Sequence, residues 1–405
     1  MPRSQLQDVI YLGPGVPSPA APPELQKHPT LIFFITGNPG LIEYYRAFLK
    51  YLSELLPQRK ALDSEREYHV YGASLAGFDV ASNPDTPAVK VHDGRGPPYG
   101  LSEQVDRVVL RLTGAVRDTA QLREGKKVLV ILIGHSVGAY ILLEILSRFQ
   151  NMQVDSQTET PFDISGGICL FPTVVDIAKS PTGEKLTPLL TAPYFADLVH
   201  HIARPLAYLP LVLVFWLVQL ITRLPDEAAL VTTAFLRSRH GVRQALHMAG
   251  DEMREIKHDR FSDELWGTPA SAAAAVSTDS AKTIHDKTAA ATSPSSTASS
   301  TRHRKARTYQ QERTRTPRLF FLFGENDHWV ANSTRDTLIS TRGRILNPSS
   351  SACPESSHPC QQEESKPVME VDDNGIPHGF CTRDDYSRII AVRVAYWVRE
   401  MEGGT

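Results

Sequence analysis

Three side chains of types that together activate a hydroxyl are spread along this 405-residue chain. Ser136 lies in Gly134-His135-Ser136-Val137-Gly138, a G-x-S-x-G. Asp327 lies in Gly324-Glu325-Asn326-Asp327-His328-Trp329, and His378 in Pro377-His378-Gly379-Phe380. A serine hydroxyl is a poor nucleophile near neutral pH; it needs a base within hydrogen-bond reach, and the base needs an orienting carboxylate. Nucleophile, acid and base in this order along the chain are one known arrangement of such a trio. The expected chemistry is attack of Ser136 on an acyl carbon, with His378 acting as base and then acid while Asp327 orients it. Glu325 is a competing carboxylate, and a loop aspartate can instead serve only an Asx turn. The alternative for His378 is a loop histidine satisfied by backbone groups. His328 is set aside as base because a long polar stretch follows it; of the fourteen histidines, His378 alone lies between that stretch and the last helix.

Acyl transfer also needs two backbone donors for the oxyanion. One is expected to be the N–H of Val137, directly after the nucleophile. The other should come from the turn Gly37-Asn38-Pro39-Gly40. Pro39 has no N–H, so Asn38 is the first candidate and Gly37 the second. Gly134, His135 and Gly138 complete the sharp turn around Ser136, where side chains at the glycine positions would collide with the neighbouring strand and helix. Gly379 is expected to let the histidine loop approach closely.

These groups must be held by strands and helices. Val128–Ile133 is a continuous apolar, β-branched run, the pattern of a strand buried on both faces, and an apolar helix follows from Val137. Leu31–Thr36 reads as a second buried strand running into the Gly37–Gly40 turn. Tyr44, Tyr45, Phe48, Leu49, Leu52 and Leu55 are spaced as one face of a helix. Tyr68–Ser74 reads as a short strand, Asn83–Gly100 as a loop, and Leu101, Val105, Val108, Val109 and Leu112 as an amphipathic helix. Gly167–Phe171 and Arg318–Phe323 are further buried strands, and Tyr386–Arg399 is the last helix. This alternation predicts an α/β fold with a mostly parallel sheet and helices on both faces.

The organisation expected is a Pro-rich arm over 1–29 and a core over 30–172 and 317–405. An insertion occupies 173–267, a disordered linker 268–316 and a polar insert 347–362. The insertion contains Leu206–Leu224, almost wholly apolar and fenced by Pro205 and Pro225. A spanning helix needs roughly 20 apolar residues, so this stretch is marginal for a crossing. It is expected either as a cap helix buried on the core or as a segment dipping into one leaflet, with Leu211, Leu213, Phe215, Trp216 and Leu217 in lipid. The linker ends in a basic run from Arg302 to Arg315 that reads as solvated chain, with contact to anionic lipid heads as the alternative. Net charge is −2, which gives no overall field for nucleic acid. Cys169, Cys353, Cys360 and Cys381 form no metal or disulfide pattern; Cys169 reads as an inert core residue, and this usage suits a reducing compartment. The N-terminus lacks an apolar run of the secretory kind. No metal or cofactor is implied.

The sequence also resembles a known family. GNPG before an aromatic-rich helix, GHSVGAY, FPTVVDIAKSPTGEKLTPLL, the late G-x-x-D-x-W and PHGF are similar to the lipid droplet-associated hydrolases. The resemblance covers Leu31 to about Pro225 and Arg318 to Trp397. Its most specific part is Phe171-Pro172-Thr173 with Ser180-Pro181-x-Gly183. It implies an α/β-hydrolase fold, association with lipid droplets and the cytosolic face of the endoplasmic reticulum, and serine esterase or lipase action on neutral lipids such as sterol esters or acylglycerols. Ser136, Asp327 and His378 match that family's triad positions. The chain departs from the family in its inserts before Arg318 and after Arg344. Two other readings stand beside this one: a droplet-binding protein with vestigial catalysis that acts on lipid storage physically, and a soluble esterase or thioesterase whose apolar segment is only a cap helix.

Overall fold

The computed structural model describes residues 6–14, 28–56, 66–80, 96–122, 127–155, 162–267, 317–344 and 365–403. Most of the Pro-rich arm, most of the Asn83–Gly100 loop, the 268–316 linker and the 347–362 insert lie outside the described residues.

The apolar runs form the centre of a seven-stranded sheet: β1 (Val9–Leu12), β2 (His28–Ile35), β3 (Arg66–Ala73), β4 (Val128–His135), β5 (Phe162–Leu170), β6 (Arg318–Gly324) and β7 (Val368–Asp372), in the order β1-β3-β2-β4-β5-β6-β7. Every pairing is parallel except that of β1, an antiparallel edge strand on β3. Helices α2 (Leu101–Gln121) and α3 (Val137–Asp155) cover one face, and α1 (Arg46–Leu55) and the last helix, α10 (Asp384–Gly403), cover the other. This explains why β2 and β4 carry no polar alternation: both faces of each strand are dry.

The chain winds from β2 to β3 on one side of the sheet, then crosses back to β4 on the other. The carboxyl ends of β2 and β4 are therefore neighbours at the point where the winding reverses, where open α/β sheets place their ligands. Register brings Ile35 beside Gly134, so the turns that follow the two strands stand side by side.

Between β5 and β6 the chain runs through α4 (Pro181–Leu190), α5 (Phe195–Ala203), α6 (Leu211–Thr222), α7 (Asp226–Arg237) and α8 (Gly241–Glu255). Helix α6 is the centre of the apolar stretch. Only Val214 and Val218, one helical turn apart, are buried, against Ala229 of α7. Leu211, Leu213, Trp216 and Leu217 are exposed, Trp216 by 63%, and Leu220 and Ile221 by nearly four-fifths. Phe215 is half-buried: it flanks the Val214–Val218 stripe and packs partly into the same cluster. Twelve residues at 1.5 Å each span about 18 Å, and among the described residues no helix is long and apolar enough to cross a membrane.

Three elements escape the sequence pattern. Strand β5 begins at Phe162 rather than Gly167, because Phe162 and Ile164 alternate with Asp163 and Ser165 as in a half-buried strand. The edge strand β7 has five residues. Helix α9 (Asn332–Arg342) buries only Leu338, so it shows no apolar stripe to read.

Candidate active site

Ser136 occupies the tip of the turn between β4 and α3 with a φ of 56°. A left-handed serine stores about 1–3 kcal/mol of strain, and its surroundings fix it there. The Ser136 N–H donates to the Leu170 carbonyl at 2.9 Å, and the Ser136 carbonyl accepts from Ala139 at 3.0 Å. A Cβ on Gly134 would lie 2.3 Å from the Gly138 carbonyl oxygen, and one on Gly138 would lie 2.4 Å from the Ile35 carbonyl oxygen. Both glycines are thus required by backbone, which has no freedom to retreat.

His378 Nε2 lies 2.9 Å from Ser136 Oγ, and its Nδ1 lies 2.7 Å from Asp327 Oδ2. The other Asp327 oxygen accepts the Trp329 N–H at 2.8 Å. Burial pushes the Asp327 carboxyl up, but the His378 hydrogen bond, its charge and the Trp329 N–H together hold it below the ordinary value. Asp327 is thus an ionised, buried acceptor directly beneath the imidazole. Glu325, the rival carboxylate, is exposed. His328 lines the cavity with its ring centroid 6.5 Å from that of His378.

The segment Phe171–Gly183 holds the acid loop in place. Ser180 caps α4 by accepting the Gly183 N–H at 2.9 Å, with Pro181 in the first turn. A Cβ on Gly183 would fall 2.2 Å from the Ile177 carbonyl oxygen, which explains the glycine. The cap aims the Thr182 N–H at the carbonyl of His328, 2.9 Å away. Phe171 is fully buried and stands edge-on to both His135 and His378.

His135 is buried between the two turns. Its Nε2 lies 2.9 Å from the His378 carbonyl oxygen and its Nδ1 lies 2.8 Å from the Tyr45 hydroxyl. A carbonyl can only accept, so Nε2 carries the proton and Nδ1 accepts from Tyr45. Burial and the neighbouring His378 push this imidazole down to about 3, so it stays neutral. The Tyr45 oxygen in turn accepts the Gly37 N–H at 3.1 Å. The Gly37 N–H is therefore occupied, whereas the N–H groups of Asn38 and Val137 make no hydrogen bond among the described residues.

Two other features were not legible. Gly379 does not serve close approach: a Cβ there would meet nothing within 4 Å, and the residue borders the cavity instead. Glu252 of α8 is 4% exposed and accepts from Asn38 Nδ2 at 2.9 Å. Burial, only partly offset by that hydrogen bond, pushes its carboxyl up to about 8. No sequence pattern marks it, since it lies on an ordinary helical face. The cavity above Ser136 holds about 340 Å³ and is bordered by His135, Ser136 and His378 below and by Leu224, Glu252 and Met253 from the helical insertion.

A parallel sheet in this order, with a strained serine on the turn after its central strand and an Asp–His pair supplied after β6 and β7, defines an α/β-hydrolase. The chain belongs to the lipid-droplet associated hydrolase family, whose model matches residues 28–276 and 290–381. Lipid droplet-associated hydrolase of Gallus gallus is 31% identical over 242 residues, 58% of this chain and 65% of that protein. The Mus musculus protein of the same name is 31% identical over 176 residues, 41% of this chain and 45% of that one. The matched part thus spans between about half and two-thirds of these relatives. Among solved structures, the chain is similar to haloalkane dehalogenase DbeA from Bradyrhizobium elkani (TM-score 0.48, 12% identity, 100% of this chain and 98% of that one). It is also similar to a soluble variant of monoglyceride lipase from Saccharomyces cerevisiae (TM-score 0.45, 11% identity, 97% and 91%).

Proposed function

We propose that this chain is a serine hydrolase that cleaves carboxylic esters of neutral lipids at a lipid-droplet surface. The observation that carries the reading is the continuous hydrogen-bonded line from Asp327 through His378 to Ser136, opening into a cavity. In this reading His378 takes the Ser136 proton as Oγ attacks the ester carbonyl carbon. The carbonyl oxygen becomes an oxyanion held by the N–H groups of Asn38 and Val137. Collapse expels the alcohol, which receives the proton from His378, and leaves an acyl-serine. Water, deprotonated by the same imidazole, then releases the acid. Asp327 keeps the imidazole in the productive tautomer and stabilises its charged form. His135 and Tyr45 act as positioning residues by holding the His378 backbone.

The apolar face of α6 supports a lipid surface as the source of substrate. Leu224, two residues past the end of that helix, is part of the cavity wall. An acyl chain leaving a monolayer at α6 therefore has a short apolar route to Ser136. Twelve residues lying in one leaflet suit the single monolayer of a droplet. The insertion would occupy 173–267 and the catalytic core 30–172 with 317–405.

The test is labelling by a fluorophosphonate, followed by a hydrolysis screen over sterol esters, acylglycerols and short acyl esters. Labelling that is lost in Ser136→Ala, with hydrolysis of long-chain esters, is the expected result. Droplet binding without labelling would favour the physical, non-catalytic reading; labelling without droplet binding would favour a soluble esterase.

A further inference from the structure

Away from the active site, a second cleft of about 290 Å³ is bordered by Asp197, His200 and His201 of α5, by Arg204 just after it, and by Arg239, His240 and Arg243 at the junction of α7 and α8. Three guanidinium groups and three imidazoles thus converge around a single carboxylate. Arg243 pairs with Asp197 at 2.5 Å. Neither Arg204 nor Arg239 has an ion-pair partner among the described residues. Arginine presents a planar fork of donors suited to two oxygens of one phosphate. Burial and the surrounding cations hold the His200 and His240 imidazoles below their ordinary value. Three guanidinium groups against one carboxylate leave a net charge of +2, carried by Arg204 and Arg239, and such a local excess is a receptor for an anion.

The neighbourhood of the cleft indicates where that anion comes from. On α5 and the turn that follows it, the polar positions Asp197, His201 and Arg204 follow one another at helical spacing, and the adjacent stripe, Leu198 and Ile202, is apolar and exposed. Arg204 leads directly through Tyr208 to Leu211 and the exposed face of α6. Arg237 fixes this connection by donating to the carbonyls of Leu206 and Leu209. The cationic cleft therefore sits beside an apolar face, as a headgroup site sits beside acyl chains.

We propose that this cleft binds the phosphate of an anionic phospholipid lying in the same surface that receives the apolar face of α6. The proposal rests on the lipid-surface reading above. It adds a lipid specificity to what apolar insertion alone would leave indifferent to headgroup, and it sets the insertion in one orientation on the monolayer.

The experiment is flotation of the full chain with triacylglycerol emulsions coated by phosphatidylcholine, with or without phosphatidate. Wild type is expected to bind both coats, and the phosphatidate coat about tenfold or more tightly, the scale set by two arginines at an anionic surface. Arg204→Gln with Arg239→Gln should lose that preference and keep its binding to phosphatidylcholine. A control, Lys50→Gln with Arg388→Gln, removes the same charge from exposed positions on α1 and α10 and should keep the preference. The basic run Arg302–Arg315 is intact in every variant, so a preference supplied by that run would survive. Survival in the cleft variant, or equal loss in the control, overturns the proposal. Loss of the wild-type preference on adding inorganic phosphate at moderate concentration, with constant ionic strength, would make the cleft a free-phosphate site and also overturn it. Wild type that binds phosphatidylcholine without preferring phosphatidate sinks the cleft alone. Wild type that binds neither coat sinks the lipid-surface reading with it.

Discussion

Replacing Glu252 by Gln should stabilise the protein, and by an amount that depends on pH. Glu252 is buried beside the cavity, accepts from Asn38 Nδ2, and has its carboxyl pushed from 4.5 up to about 8 by desolvation. A carboxyl with its native pKa above the unfolded one keeps its proton in the folded state after the unfolded chain has released it. The unfolded state then binds fewer protons, so stability falls as pH rises from about 4.5 to about 8 and is level beyond. Each pKa unit is 1.36 kcal/mol, so by pH 7 the group has cost about 3 kcal/mol relative to pH 4, and above pH 8 about 5 kcal/mol. Gln is isosteric, keeps an acceptor for Asn38 and does not titrate. The measurement is urea unfolding of wild type and variant between pH 5 and 9. The gap between them should open with rising pH, in favour of the variant, by roughly the amounts above. Activity gives a second reading. A charged Glu252 in the cavity opposes a developing oxyanion, so wild-type ester hydrolysis should decline above pH 8 while Glu252→Gln holds. Parallel stability curves across this range would refute the account of the buried carboxyl.

Further outcomes follow from the site geometry. Asp327→Asn should lower kcat by several orders of magnitude, on the scale of the ~10⁴-fold loss seen when a serine protease triad loses its carboxylate, while Glu325→Gln should leave steady-state kinetics near wild type; the reverse would show that the wrong acid has been assigned. Ser136→Gly should be more stable than Ser136→Ala by about 1 kcal/mol, since both lose the hydroxyl and only alanine keeps the left-handed strain, offset in part by the greater unfolded-state entropy of glycine; equal calorimetric stabilities would argue against that strain. Tyr45→Phe leaves the buried Gly37 N–H and His135 Nδ1 without partners and should destabilise by about 1–3 kcal/mol, with lower kcat as His378 loosens; unchanged denaturant midpoint and kcat would remove Tyr45 from the network. His135 is held neutral down to about 3, so it withdraws stability as pH falls below about 6.5, because the unfolded histidine gains a proton that the native one refuses. His135→Gln should flatten the acid side of the stability profile by up to about 1.4 kcal/mol per pH unit; an unaltered slope would show that another group governs it.

The parts of the site that were legible in the sequence are those fixed by local chemistry. A glycine-flanked serine between a dry strand and a helix has few structures open to it, and β6 is apolar throughout, so the carboxylate that follows it emerges at the same sheet edge. In the sequence Tyr45 is legible only as one member of a helical face, because spacing records burial and not the partner of a hydroxyl. Glu252 was invisible for a related reason. Its helix α8 belongs to the insertion, and which of its faces meets Asn38 depends on how α8 docks, through contacts some 214 residues apart along the chain. Helix α6 could be read as buried or as lipid-facing because its composition is apolar all round; only the packing of α7 on Val214 and Val218 decides which stripe is taken.

The two long connections on either side of β6, before Arg318 and after Arg344, fall where the fold tolerates length, and the reason is visible at their ends. The Arg344 N–H donates to the Pro367 carbonyl at 2.8 Å, so the chain leaves after α9 and returns before β7 at almost the same place. The same junction is tied to the start of the other long connection: the Ser365 hydroxyl donates to the Gly267 carbonyl. A Cβ on Gly267, whose φ is 80°, would fall 2.1 Å from the Ser365 carbonyl oxygen, so the two backbones are packed against each other. When the ends of a connection already meet, lengthening it adds only closure entropy, about 0.6 kcal/mol for each doubling. Added length does not displace Asp327 or His378, because β6 and β7 are registered through five pairs from Phe320–Val368 to Gly324–Asp372. The hydrogen-bonded line of Ser136, His378 and Asp327 can therefore survive long additions on either side of β6, since the sheet positions these side chains and the connections only have to close.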